Sequence, residues 1–450
     1  MSTQDENYIT SENQSYTERR QQWQKIRDVI EGEDQVKEQA TIYLPQPSAQ
    51  NSNQYEAYKK RASFYGVSER TLRGMVGLIF RNEPQITLPT RLDSMIEEAS
   101  NQGHSMVVLV QEMLQEVLSI GRYGLLLDYP AEARIDQAPY IAAYTAENIV
   151  DWTEEYTGGQ RVLTRVLLRE DIDNPLGNDY ERFLELLIND GVYEVRRWIT
   201  ENGATPIMEG EPVIPMVNGA PLYYIPFVFV SPYNLKASVQ KPPFLDLANI
   251  NLAHYRNSAD YEHALYLTAQ PTPFITGNVT ESDRPKAIGS GTIWILPEGG
   301  SAGMLEFSGS GVQAQRDAMS DKEQRMASLG ARMINDGKSR NEAADTARMR
   351  GQGETSLLSS SVMMCEQAII RLLTWAAEWV GASRDEVSFK LNRDWVEAKL
   401  TSQELDALVR SWQGGAISRL TLHENLQKGE LIPMQRTAEE EQELVEADNG

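Results

Sequence analysis

The sequence predicts an α+β fold, and three observations carry that prediction. Between residues 122 and 230, short apolar runs such as RYGLLLDY, PYIAAY, RVLTRVLLRE and YERFLELLI follow the strand period and are separated by turn residues. From Leu245 the period changes: Leu245, Ala248, Leu252, Tyr255, Ala259 and Tyr266 fall at steps of three, four, three, four and seven, interrupted only by Glu262. That spacing marks one packed face of a long helix. A third stretch, ETSLLSSSVMMCEQAIIRLLTWAAEWV, puts Leu358, Val362, Cys365, Ile369, Leu372, Ala376 and Trp379 on one broad helical face. Strand runs gathered in one part of the chain and long helices in others give the α+β class.

Taken in order, an opening polar tail precedes an amphipathic helix around Trp23, Ile26 and Ile30 and the loop YLPQPSAQNSNQ. YEAYKKRASFYGVSERTLRGMVGLIFRNEP reads as helices broken near Gly66 and ended at residues 82–84, and residues 89–121 read as helical again. The strand runs follow, punctuated by Gly158-Gly159, Asn189-Asp190-Gly191 and Asn202-Gly203. In RVLTRVLLRE, Val162, Thr164, Val166 and Leu168 share one face, while Arg161, Arg165 and Arg169 share the other, the pattern of a half-exposed antiparallel strand. Pro242-Pro243 introduces the helix with the apolar seam, about 34 Å long to Leu267 at roughly 1.5 Å per residue. A small β-rich insert over residues 270–307 contains the strand-like TIWIL, and a second helix covers residues 312–334. Near the end, Thr401 with Glu404 and Thr421 with Glu424 match capping boxes, separated by Gly414-Gly415. The carboxylates between Glu439 and Asp448 predict a frayed, solvated end.

Bulk properties bound the function. A chain of 450 residues suggests two or three compact units. No run of about 18 apolar residues occurs, so no membrane-spanning helix is expected, and the polar start lacks the apolar core of a secretory signal. The protein is expected to remain where it is made. Its single cysteine, Cys365, cannot form an intramolecular disulfide and reads as a buried structural thiol. A net charge of −23 argues against an ordinary nucleic-acid binder, whose affinity comes largely from basic residues, but not against a surface that DNA slides past. Basic residues gather over residues 55–81, where Lys59, Lys60, Arg61, Arg70, Arg73 and Arg81 face Glu56 and Glu69.

Chemical motifs fail on spacing. In NINLAHYRNSADYEHALYL, His254 and His263 are separated by roughly 900° of helix and cannot share a metal. Asp260 and His263 can touch on one face, as solvated helix-surface partners do. Asp336-Gly337-Lys338-Ser339 resembles the close of a phosphate loop, yet Arg332 stands where the preceding glycine must be. Pro175 occupies a ligand position of the calcium-loop-like run at Asp171 and Asp173, and no GxSxG elbow occurs. No catalytic residue, metal ligand or cofactor is expected. The charged stretch after residue 332 carries Arg332, Lys338, Arg340, Arg348 and Arg350 against Asp336, Glu342 and Asp345. It reads either as an exposed polar loop or as a mobile loop that touches a polyanion weakly enough to release it.

The order of parts, with the segments YLPQPSAQNSNQYEAYKKRASFYGVSERTLRGMVGLIFRNEP, PPFLDLANINLAHYRNSADYEHAL and WQGGAISRLTLHENLQKGEL, resembles portal proteins of tailed bacteriophages. It is similar to a portal-like family otherwise described as a domain of unknown function. The resemblance runs from about Trp23 to Pro433 and rests on patterns without catalytic content.

It implies a portal-type architecture: a polar tail over 1–22, an α/β wing over 23–241, and a two-helix stem of 242–268 and 312–334 around a small β-rich clip at 269–311. A tunnel loop at 335–353, a long apolar helix returning to the wing over 354–400, and a helical crown with an acidic tail at 401–450 complete it. The implied function is a head-tail connector ring, typically a homododecamer, at one capsid vertex of the virion, assembled in the host cytoplasm. Double-stranded DNA passes through such a ring without sequence specificity during packaging and ejection. Implied partners are the terminase large subunit, then a head-tail adaptor, and the major capsid or scaffold protein, with no membrane. The resemblance places Lys338, Arg340, Arg348 and Arg350 at the DNA channel, and Trp294, Arg284 and Lys286 at the clip's docking surface. Leu245, Leu252, Tyr255, Ala259 and Tyr266 are then candidates for stem packing or a subunit interface, against the return helix or a neighbouring subunit. A tail adaptor or capsid-associated subunit is the competing expectation.

Overall fold

The structure is a computed structural model. It describes residues 6–129, 138–170, 180–201, 204–269, 272–278, 280, 287, 292–296, 298–305, 310–334, 356–393, 402–428, 431–432 and 436–448. The chain divides into two compact units, one of Met1–Val76 with Gln85–Phe389 and the other of Gly77–Pro84 with Lys390–Gly450. Helices and open sheets give a mixed α+β fold.

After a 3-10 turn at Glu6–Thr10 come α1 (Gln14–Glu31), α2 (Glu33–Glu38), α3 (Ser52–Arg61), α4 (Val67–Ile79), β1 (Gln85–Thr87), α5 (Ser94–Glu97) and α6 (Met106–Ser119). Caps explain where these helices start. Asn13 accepts from the Ser15 amide, Asn51 and Gln54 form a reciprocal capping box, and Ser105 caps α6. The strands β2 (Tyr123–Asp128), β3 (Tyr140–Thr145), β4 (Ile149–Thr157), β5 (Gln160–Glu170), β6 (Tyr180–Asn189), β7 (Val192–Glu201), β8 (Ile207–Met208), β9 (Met216–Val217), β10 (Ala220–Pro221) and β11 (Phe227–Val230) follow. They form antiparallel sheets of order β4-β5-β6-β7-β8 and β11-β2-β3, with β9 and β10 as a separate pair. Two-residue turns with positive φ close the hairpins, Gly158-Gly159 between β4 and β5 and Asp190-Gly191 between β6 and β7.

The chain then runs through α7 (Leu245–Thr268), β12 (Thr272–Thr276), β13 (Ser301–Leu305), α8 (Ser310–Ile334), α9 (Leu357–Trp379) and β14 (Ser388–Lys390). Ser356 caps α9, which packs on α6, α8 and β11. By length and composition α9 could cross a membrane, against the sequence expectation, yet 61% of its most apolar window is buried inside the protein. It is a core helix of this unit. Cys365 lies within it, fully buried, and that burial pushes its thiol pKa up. In the second unit, α10 (Ser402–Gln413), α11 (Arg419–Lys428) and α12 (Ala438–Asp448) are short helices, with α10 packed on α11.

Several expectations are corrected. The arginine face of β5 is covered in its C-terminal half, because the supposed polar tail supplies Tyr8 and Ile9 to that face. Ile9 joins Val150, Leu167, Phe183 and Trp198 in one apolar cluster. Arg165 is held there by Asp151 at 2.7 Å and Glu185 at 2.6 Å, and its guanidinium lies 4.9 Å from the Tyr8 ring centre. The Tyr8 hydroxyl and Trp198 Nε1 both donate to Glu185 Oε2 at 3.1 Å. A polar-looking segment thus straps a sheet, and α1 begins at Gln14 with Tyr16 buried.

TIWIL is no strand: residues 292–296 carry no ladder, and Ile293 and Ile295 are 88% and 86% exposed, since β12 pairs instead with β13. Thr421 sits inside α11, which is capped by Ser418 accepting from the Thr421 amide at 3.0 Å. Thr401 lies outside the described residues. The acidic end is helical because Thr437 and Glu440 cap α12 reciprocally, at 3.2 and 2.8 Å, and its first-turn carboxylates favour the positive end of the helix dipole.

Replacing Glu185 by Ala leaves Arg165 half-compensated and strands the Tyr8 and Trp198 donors. Unfolding in urea should reveal a loss of about 3–5 kcal/mol, with Glu185→Gln losing less.

Candidate functional site in a helix pair

The helix α7 starts where the chain is pinned. Phe244 is fully buried and its amide donates to the Ser119 carbonyl at 3.2 Å. Gly121, at φ +83°, allows the approach of Pro243, whose Cδ would lie 2.8 Å from any Cβ there. At about 1.5 Å per residue the helix is then roughly 36 Å long.

Four of the seam candidates, Leu245, Leu252, Tyr255 and Ala259, are buried within the chain itself. Tyr255 meets Phe64 edge-on at 6.0 Å, so part of the seam faces the connection between α3 and α4 rather than the return helix. Polar pins fix the register. Asn251 accepts from Ser68 Oγ at 3.0 Å and donates to the Tyr65 carbonyl at 2.9 Å. Ser258 accepts from the Ser63 amide at 3.0 Å and donates to the Ser63 carbonyl at 2.6 Å. Burial holds the Tyr255 phenol up at about 12.

Beyond Ala259 full burial gives way to partial burial, with Tyr266 and Leu267 exposed. Asp260 does not pair with His263; it accepts from the Tyr58 hydroxyl at 2.5 Å, and the Tyr58 ring stands edge-on to His263 at 5.5 Å. Tyr266 is 62% exposed, its ring lying 3.6 Å from the Arg61 guanidinium.

The return helix α8 packs along α7. Val312, Gln315, Met319, Lys322, Met326, Leu329 and Met333 are buried or half-buried, at steps of three and four throughout. This is a narrow coiled-coil-like stripe. His254 on α7 faces Glu323, Nε2 to Oε1 at 3.1 Å, while the other ring nitrogen is buried without a partner. Gly330 approaches α4, where a Cβ would lie 3.3 Å from Thr71 Cγ2. The outer face of α8, including Arg316, Asp317, Asp321 and Arg325, is exposed.

Between the two helices, β12 and β13 pair Phe274 with Gly303, and the Phe274 ring lies where a Gly303 Cβ would be, at 2.8 Å. Trp294 is half-buried and donates from Nε1 to the Ala287 carbonyl at 2.9 Å. Arg284 and Lys286 lie outside the described residues, as do Lys338, Arg340, Arg348 and Arg350. Among the described residues, no group of three or more His, Cys, Asp or Glu side chains is placed to hold a metal ion. What the arrangement offers is packing and surface.

A family model described as Domain of unknown function (DUF4055) matches residues 243–380. No curated protein matches. The matched stretch begins at Pro243, just ahead of α7, and ends at Val380, just past α9, so it frames the helix pair, the strands between them and the core helix. Sequence reading missed the pins, although Asn251 and Ser258, seven apart and therefore on one face of an otherwise apolar helix, carried the signal.

An Asn251→Leu substitution keeps the branching of the side chain but adds methyl bulk and leaves Ser68 Oγ and the Tyr65 carbonyl without their partner. Denaturation should show a loss of about 1–3 kcal/mol. The exposed Asp317→Ala should stay within about 0.5 kcal/mol.

Proposed function

We propose that this chain is a portal subunit, one protomer of the head-tail connector ring through which a tailed phage packages and ejects its DNA. The observation that carries the reading is the pair of helices α7 and α8, of 24 and 25 residues, enclosing the β12–β13 pair inside the matched stretch. The matched family is generally known as phage portal protein.

In this reading α7 with α8 forms the stem and the strand pair belongs to the clip, where terminase and then a tail adaptor dock. Trp294, Arg284 and Lys286 serve that docking. The stretch 335–353 is the tunnel loop, with Lys338, Arg340, Arg348 and Arg350 facing DNA, and residues 401–450 form the crown. Residues 23–241 form the wing. The net charge of −23 supports the reading, because a ring of such subunits repels a captured duplex and lowers sticking during translocation. The exposed outer face of α8 supports it too, as a surface left for a neighbouring subunit.

Negative-stain imaging with native mass measurement of the purified protein tests this. A closed dodecameric ring with a central channel is expected. A closed assembly without a channel would assign the chain to another virion role, such as a tail adaptor or capsid-associated subunit.

A further inference from the structure

Asn218-Gly219 forms the tip of the β9–β10 hairpin, with φ of +52° and +78°, the two-residue turn that asparagine and glycine favour. Asn-Gly is also the pair in which the backbone can attack its own side chain, because glycine puts no Cβ in the way of its amide nitrogen. The chain has three such pairs. Asn202-Gly203 and Asn449-Gly450 lie outside the described residues, so Asn218-Gly219 is the pair whose surroundings are described.

Those surroundings do little to hold it. Asn218 and Gly219 are both exposed, and a Cβ on Gly219 would meet nothing within 4 Å. The ladder behind the turn is two residues long, pairing Val217 with Ala220 and Met216 with Pro221, and the proline has no N–H to contribute. By contrast, the Asp190-Gly191 turn closes the long β6–β7 ladder, which runs from the Tyr180–Glu201 pair to Asn189–Val192. Among the described residues the Asn218 side chain makes a long hydrogen bond, Nδ2 donating to the Glu378 carbonyl at 3.4 Å. Glu378 lies in the last turn of α9, so this contact ties the hairpin to the core helix. A turn held so weakly opens at little cost, and opening lets the Gly219 nitrogen reach the Asn218 carboxamide.

We propose that Asn218 is a site of spontaneous deamidation, and that its product unties the β9–β10 hairpin from α9. The deprotonated Gly219 nitrogen bonds to Asn218 Cγ, the Cγ–Nδ2 bond breaks, and the amide leaves as ammonia, closing a succinimide ring. Water then opens the ring at either carbonyl, giving aspartate or an isoaspartate whose backbone passes through the former side-chain carbon. Either product replaces the amide donor by a carboxylate, which cannot donate to the Glu378 carbonyl and adds a negative charge to the formal −23. The site is independent of the helix pair and of the portal reading.

Peptide mapping by mass spectrometry of the full chain, kept in warm, mildly alkaline buffer, tests it. Fragment ions separate Asn218 from Asn202, and an isoaspartyl methyltransferase assay identifies the branched product. The folded chain should convert Asn218 about tenfold or more faster than any described asparagine not followed by glycine. Its rate should lie within about tenfold of that in urea-unfolded chain, an opening cost of at most about 1.4 kcal/mol. Asn218→Gln, whose longer side chain closes the ring poorly, should lose the product. Asn218→Asp, which makes one product directly, should exchange the hairpin amides from Met216 to Ala220 about threefold or more faster than the unsubstituted chain. An Asn218 that persists in the folded chain while it converts in urea, or hairpin exchange unchanged in Asn218→Asp, would overturn the proposal.

Discussion

The structure around the helix pair depends on the burial of polar pins on an apolar helix. Asn251 and Ser258 take hydrogen bonds from, and give them to, the chain between Ser63 and Ser68, so α7 cannot slide by a turn without stranding several buried groups. Apolar contacts alone would tolerate such a slip, because a seam of Leu, Ala and Tyr at steps of three and four repeats itself. The pins remove that ambiguity, and α8 inherits its register through His254 and Glu323.

A similar logic governs the strand-rich part of the first unit. The sheet from β4 to β8 meets the β11-β2-β3 sheet where Trp152 approaches Phe229, and Arg122 lies 4.2 and 4.7 Å from those two rings. Its Nη1 donates to the Ala237 carbonyl at 2.7 Å, yet Nε and Nη2 have no partner, and burial lowers its pKa to about 9. Because the folded state disfavours this charge, Arg122 costs stability at neutral pH, and that cost fades as pH rises above about 9. On the opposite face, Arg165 is held by Asp151 and Glu185 through Nη1 and Nε while its Nη2 is buried without a partner, and the N-terminal residues packed there become part of the core.

How much of this was legible follows from what each element shows in one dimension. The runs that became β2, β3, β5, β6, β7 and β11 were readable as short runs rich in β-branched, aromatic and other apolar residues bounded by turn residues, with β2 and β11 buried at nearly every position. IVDWTEEYT, which forms β4, escaped because irregular register between Thr153 and Glu154 breaks its period. Residues 89–121 looked uniformly helical, but a turn through Gly103 at φ +76° separates α5 from α6. Tyr8 and Ile9 were invisible as core residues since their apolar neighbours lie far away in sequence, and TIWIL misled because its strand-like composition has no partner strand. In the helix pair, the seam was legible from spacing alone. Which element it packs against, and that Tyr266 leaves it for Arg61, were not, because one helix's period is silent about its neighbour.

The account turns on α7 being anchored in the core of the chain up to Ala259 and only partly covered beyond Asp260. Amide hydrogen exchange on the monomeric chain measures this directly. Amides from Asn251 to Ala259 should exchange only through large-scale opening, while those of residues 262–268 should exchange faster by an order of magnitude or more. Uniform protection along the helix, or rapid exchange around Asn251 and Ser258, would contradict it.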